Sequence, residues 1–168
     1  SQGFNYVYDL DLDGNYDVVA GGRVYYDIDL KSSGASTYKS VTCYSGGAFV
    51  PDGRTSVADI NGDGIPEVVV VKRESGTSVR IIVYNPGFLR LDSAGKVERI
   101  PVGQTPTPTV IVDQSFPINT SSTSQGSNSY VYIGDIDGVE STITLGGVAK
   151  KVRLPEIAFI SGGSNNWS

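Results

Sequence analysis

Acidic side chains stand at every second position in two short stretches of this chain. In "YDLDLDGNYDVVAGG", Tyr8 to Gly22, they are Asp9, Asp11, Asp13 and Asp17, with Asn15 between the last two. In "VADINGDGIPEVVVV", Val57 to Val71, Asp59, Asn61, Asp63 and Glu67 take the same places, with Ile65 between the last two. Like charges packed this closely repel one another, so the pattern calls for a cation. Ca²⁺ is a hard ion that takes about six to eight oxygens from carboxylates, amides, main-chain carbonyls and water. Counting the first Asp as position 1, side chains at positions 1, 3, 5 and 9 and the main-chain carbonyl at position 7 (Asn15 or Ile65) can converge on one point. Gly14 or Gly64 at position 6 permits the sharp turn. Mg²⁺ prefers tighter octahedral geometry and its own waters. Zn²⁺ wants His or Cys, and the chain has no His and a single Cys. Asp, Asn and Gly also favour turns for backbone reasons alone, because their side chains cap nearby N–H groups. Two matching copies, one with four carboxylates and one with three, favour the cation.

A third, interrupted copy starts at "YIGDIDGVE", Tyr132 to Glu140. Asp135 and Asp137 match positions 1 and 3, and Pro155-Glu156-Ile157 echoes Pro66-Glu67-Val68. On this reading Val139 to Leu154 is an insertion within the turn, and Glu156 is the displaced position 9. No oxygen stands at position 5, where Val139 falls, so the sequence predicts two Ca²⁺ sites and leaves the third open. EF-hand loops begin alike, but they carry a bidentate acid at position 12 and run into a helix. Here position 12 is Ala20 or Val70, and the β-branched runs that follow read as strand.

The elements that must position these turns are therefore strands. The second copy follows the first by 50 residues, from Asp9 to Asp59. That period holds about four short strands with turns. The first unit divides into Phe4–Tyr8, Val18–Ala20, Arg23–Asp29 and Tyr38–Tyr44. The second divides into Ser56–Ala58, Glu67–Lys72, Val79–Tyr84 and Lys96–Val102. The third offers Tyr130–Ile133 and Glu156–Ile160. A four-stranded antiparallel sheet repeating at this period predicts all-β architecture of β-propeller blades, about three of them, as a fragment of a larger ring. The expected divisions are blade 1 over about 1–48, blade 2 over about 49–103, a Thr/Ser/Pro-rich loop over about 104–128 and a partial blade 3 over about 129–168. The chain has no Met, even at position 1, which predicts a processed or excised piece of something longer.

"SVADINGDGIPEVVVV" resembles the FG-GAP/VCBS repeat, the calcium-loop blade of integrin-α-like propellers and of many secreted bacterial proteins. "YDLDLDGNYDVVAGG" is a second match and "YIGDIDG…LPEIAFISGG" a broken third. Glu67 and Glu156 in place of Asp look more like the bacterial versions. The resemblance implies a seven- or eight-bladed ring, structural Ca²⁺ and a place outside the cytoplasm, secreted or at the cell surface. Weak calcium modules fill only where the ion reaches about 10⁻⁴–10⁻³ M, which agrees with that location.

Composition narrows the function. The formal charge of −5 gives no general attraction to nucleic acid or anionic membranes, and no membrane span is legible. Cys43 cannot form an internal disulfide, and without His it lacks the usual activating base. Nothing nominates a catalytic pair. The reading is a non-catalytic module for adhesion, glycan binding or assembly, with recognition on the loops at Gly103–Ser129 and Val139–Leu154. Its partners are a protein or glycan ligand and the remaining blades, from the parent chain or another subunit. Tyr130, Tyr132 and Trp167 are the aromatic candidates for sugar stacking, with strand packing the plainer reading. Two alternatives stay open. One is a propeller-fold polysaccharide lyase resembling rhamnogalacturonan lyases, with its base among Arg54, Lys72, Arg73 and Arg80. The other is a filament subunit that completes its blades with a neighbour's strands.

Overall fold

The computed structural model describes residues 5–31, 34–44, 53–75, 78–117 and 129–161. These residues form an all-β protein in which every strand pairing is antiparallel. The first sheet is built from β1 (Tyr6–Tyr8), β2 (Asp17–Ala20), β3 (Arg23–Asp29) and β4 (Thr37–Thr42), in chain order. Next come β5 (Gly53–Ala58), β6 (Glu67–Ser75) and β7 (Ser78–Asn85), then a separate hairpin of β8 (Leu89–Leu91) and β9 (Val97–Arg99). The fourth strand of the second sheet is β10 (Thr109–Pro117), which pairs with β7, so the sheet runs β5-β6-β7-β10. Two strands complete a third sheet, β11 (Ser129–Gly134) and β14 (Glu156–Ser161), and between them in sequence lies the hairpin of β12 (Glu140–Leu145) and β13 (Val148–Arg153).

Two expectations from sequence need correction. Lys96–Val102 is not the outer strand of the second sheet. Its β9 portion folds back on β8 around a turn in which Asp92 Oδ1 accepts the N–H groups of Ala94 and Lys96 at 2.8 and 2.9 Å. The outer place goes to Thr109–Pro117, whose Thr/Ser/Pro composition reads as a loop or extended excursion outside the core; it is an extended, mostly exposed edge strand. β10 is held there by its ladder to β7 and by Arg80, whose guanidinium grips both carboxylate oxygens of Asp113 at 2.5 and 2.7 Å. Such a two-pronged contact fixes geometry better than a single ion pair. The inserted segment at Val139–Leu154 is likewise mostly a regular hairpin, β12–β13.

The sheets stack face to face through β6. Val68 and Val70 point to one side, where they join Ile82, Tyr84, Phe88 and Leu89 against Val19, Val24 and Val41 of the first sheet, Leu10 of its acidic turn and Cys43 just past β4. Val69 and Val71 point to the other, joining Val79, Ile81 and Val83, with Val131, Ile133 and Ile157 of the third sheet packed on them. Successive strand residues face opposite sides, so a strand covered on both reads as an unbroken apolar run. That is why "VVVV" follows the second acidic turn. Tyr84 is fully buried, and its hydroxyl donates to the Gly21 carbonyl at 2.6 Å, pinning the second sheet to the first.

Candidate metal centre

Each acidic turn joins the first two strands of its sheet, and all three share one register. The residue before position 1 pairs with position 9: Tyr8 with Asp17, Ala58 with Glu67, and Gly134 with Glu156. In each case the position-9 carboxylate reaches back and accepts the N–H of position 2. Asp17 Oδ2 accepts from Leu10 at 2.9 Å, Glu67 Oε2 from Ile60 at 2.9 Å and Glu156 Oε2 from Ile136 at 2.6 Å. The third turn thus keeps the grammar of the first two across its inserted hairpin.

Position 1 gathers the N–H groups of the bend. Asp9 accepts from Asp13 and Gly14, each at 3.0 Å. Asp59 accepts from Gly62, Asp63 and Gly64 at 2.7, 3.1 and 2.8 Å. Asp135 accepts from Gly138 at 2.7 Å. Position 5 caps position 7: Asp13 accepts from Asn15, and Asp63 from Ile65, at 2.7 Å in both. These bonds use carboxylate oxygens as acceptors and bring their negative ends together. The bend needs left-handed backbone at position 4 in every copy, at Leu12 (φ 56°), Gly62 (φ 77°) and Gly138 (φ 69°).

Carboxylate oxygens of Asp9, Asp11 and Asp17 come within 4.8 Å of one another in the first turn, as do those of Asp135, Asp137 and Glu156 in the third. Such trios of hard oxygens fit a hard cation. The second turn forms no carboxylate trio of this kind among the described residues, because its position 3 is an amide. Asn61 Oδ1 accepts from the Asp63 N–H at 2.9 Å, while its Nδ2 donates to Asp63 Oδ2 at 3.0 Å and to Glu67 Oε1 at 3.4 Å. Asp59, Asp63, Glu67 and the Asn61 oxygen still face one bend. The side chain of Ile65 is buried in the core and carries no oxygen, so at position 7 of the second turn any ligand comes from the main chain; the Asn15 side chain is exposed.

Burial first, and neighbouring carboxylates second, work against ionisation in these bends. Burial pushes the Asp17 carboxyl up from 3.8 to about 7, with the charges of Asp11, Asp13 and Asp9 adding to it and the Leu10 N–H opposing. Burial likewise pushes Glu67 from 4.5 to about 7, with Asp63 and Asp59 adding and the Ile60 N–H opposing. Asp11 is raised by burial too, against the pull of Arg99. A carboxylate kept this reluctant to ionise is one that a cation would relieve.

Two residues at the first turn escaped the sequence reading. Arg99 of β9 donates from Nη2 to Asp11 Oδ2 at 2.6 Å and stands 3.9 Å from Asp13 Oδ2. Asp27 forms a second trio with Asp11 and Asp13, and is paired to Lys39 at 2.8 Å. Its φ of 49° falls where β3 slips register against β4, and such irregularities re-aim a side chain. Only a non-glycine acid at a bulge marks Asp27, and one strand does not reveal a bulge.

Cys43 is buried, which pushes its thiol up to about 12 and leaves it unreactive near neutrality. Among the lyase candidates, Arg80 is engaged by Asp113. Tyr132 is exposed, while the Tyr130 side chain and Trp167 lie outside the described residues. Among the described residues no helix is long and apolar enough to cross a membrane. No family model, no curated protein and no solved structure matches this chain.

Proposed function

We propose that this chain is a calcium-binding segment of FG-GAP/VCBS type, its sheets serving as propeller blades of a secreted or cell-surface protein. The ions are structural, and the module serves adhesion, glycan binding or assembly. One observation carries the reading. The same strand–turn–strand unit, with the same register and the same position-9 to position-2 bond, occurs three times and each time crowds acidic oxygens into one bend. A turn needing only backbone caps would not require further acids at positions 1 and 3 gathered beside the one at position 9, as in the first and third copies. In the first turn Asp9, Asp11, Asp13 and Asp17 would hold the ion with the Asn15 carbonyl. In the second Asp59, Asn61, Asp63 and Glu67 would do so with the Ile65 carbonyl. Asp135, Asp137 and Glu156 would hold a third. The bound ion neutralises each bend and ties it to the first residue of the following strand.

Melting the protein in calcium and in chelator tests this reading. Each site filled at a hundredfold excess over Kd adds about 2.7 kcal/mol to stability. For a chain of this size that raises Tm by about 5–10 °C per site. Equal melting temperatures in the two buffers contradict it. A glycan array probed in calcium and in chelator then tests the recognition role.

A further inference from the structure

The first two turns differ in charge. The first carries four acids, Asp9, Asp11, Asp13 and Asp17; the second carries three, because Asn61 stands where Asp11 does. In the second turn the Asn61 amide donates to the carboxylates of Asp63 and Glu67. Asp11, when ionised, has no N–H to donate. The donor in that region of the first turn comes from 88 residues away, where Arg99 touches Asp11 at 2.6 Å and approaches Asp13 to 3.9 Å. Four negative charges and one positive leave the first turn with the same net charge as the second.

We infer that Arg99 is a tethered cation that sets the metal affinity of the first turn, given that these turns bind calcium as proposed above. The guanidinium competes with the ion for Asp11 and Asp13. Asp13 stands 3.9 Å from Arg99 and gathers with Asp11 and Asp27. Filling the first site therefore sets the ion against the guanidinium for Asp11 Oδ2, and the extra carboxylate gives no extra affinity. The same contact couples the first turn to the β8–β9 hairpin, which itself leans on the second turn through Val97, whose Cγ2 lies 3.1 Å from where a Cβ on Gly64 would stand.

The test is calorimetric titration of the chelator-stripped full chain with CaCl₂, and separately with TbCl₃, in wild type, R99Q, R99K, D11N and D11N/R99Q. Arg99 is half-exposed, and melting in chelator checks that each variant folds. Removing one positive charge beside a divalent ion in a partly solvated site is worth about a factor of ten. R99Q should tighten one class of site about tenfold for Ca²⁺, and further for the trivalent ion, leaving the other class unchanged. R99K should stay near wild type. D11N should weaken that site, and D11N/R99Q, which gives the first turn the Asp-Asn-Asp pattern of the second at positions 1, 3 and 5, should return close to wild type. Binding that is unchanged or weaker in R99Q overturns the inference while leaving the calcium reading intact. No binding in wild type overturns both.

Discussion

Glu67→Gln separates a buried structural carboxylate from a metal ligand, because the two roles predict different responses to calcium. Glu67 is fully buried, accepts the Ile60 N–H at 2.9 Å and faces Asp59 and Asp63. Each pH unit by which a group is displaced corresponds to about 1.4 kcal/mol, so a carboxyl raised from 4.5 to about 7 is about 3 kcal/mol costlier to ionise in the fold than in the unfolded chain. Gln keeps an oxygen for Ile60 and carries no charge. It gives up the 3.4 Å contact from Asn61, worth about 0.5–1 kcal/mol. In chelator at pH 8 the variant should therefore be more stable than wild type by about 2 kcal/mol, or roughly 4–8 °C in Tm. At pH 5, where wild-type Glu67 is protonated, the advantage should vanish. Calcium should then do the reverse: wild type gains about 2.7 kcal/mol from this site at a hundredfold excess over Kd, and the variant should gain under about 1 kcal/mol. Urea melts in the four conditions measure both halves. A variant less stable than wild type in chelator at pH 8, or one that keeps the full calcium increment, refutes the reasoning.

Three further outcomes follow from the same geometry. In chelator the folded protein holds protons on Asp17 and Glu67 that the unfolded chain has lost, so this contribution is full below about 3.8 and declines as pH rises toward about 7. Urea melts from pH 5 to 8 should show stability falling by a few kcal/mol in chelator and not falling in saturating calcium; a rise in chelator contradicts the burial of these acids. Leu12→Gly should stabilise by about 0.5–1 kcal/mol in both buffers, because Leu12 sits at φ 56° and is 53 % exposed, and left-handed backbone costs a non-glycine residue more than glycine loses in entropy. A lowered Tm counts against that backbone. Gly62→Ala should cost about 2–3 kcal/mol, since its φ is 77° and a Cβ there would meet Leu154, Ile143 and Val152 at 2.9–3.1 Å. Amide exchange in β12 and β13 should quicken with it; a neutral substitution means the inserted hairpin does not rest on the second turn.

Much of this was legible because the informative signals were local. Strand β6 announced itself by alternation lost to burial on both faces, and the acidic turns by spacing alone. Pro155-Glu156 found its place because the return bond from position 9 survives an insertion that closes on itself as a hairpin. What stayed hidden depends on partners distant in sequence. Strand β10 lies at a sheet edge with its side chains mostly exposed, so it carries no burial pattern, and its ladder to β7 is a backbone property that composition does not reveal. Lys96–Val102 looked like the better strand because nothing in it shows that Asp92 turns the chain back on Leu89. Arg99 at Asp11, and Asp27 at its register slip, are tertiary encounters of the same kind.

The central claim, that hard divalent cations occupy the acidic bends, is tested most directly by a long-wavelength anomalous difference map from crystals grown in calcium. The account predicts peaks about 2.3–2.6 Å from the carboxylate oxygens of Asp9 and Asp11 in the first turn and of Asp59 and Asp63 in the second. Bends holding only water, with Asp17 bonded only to the Leu10 amide and Glu67 only to the Ile60 and Asn61 amides, would contradict it.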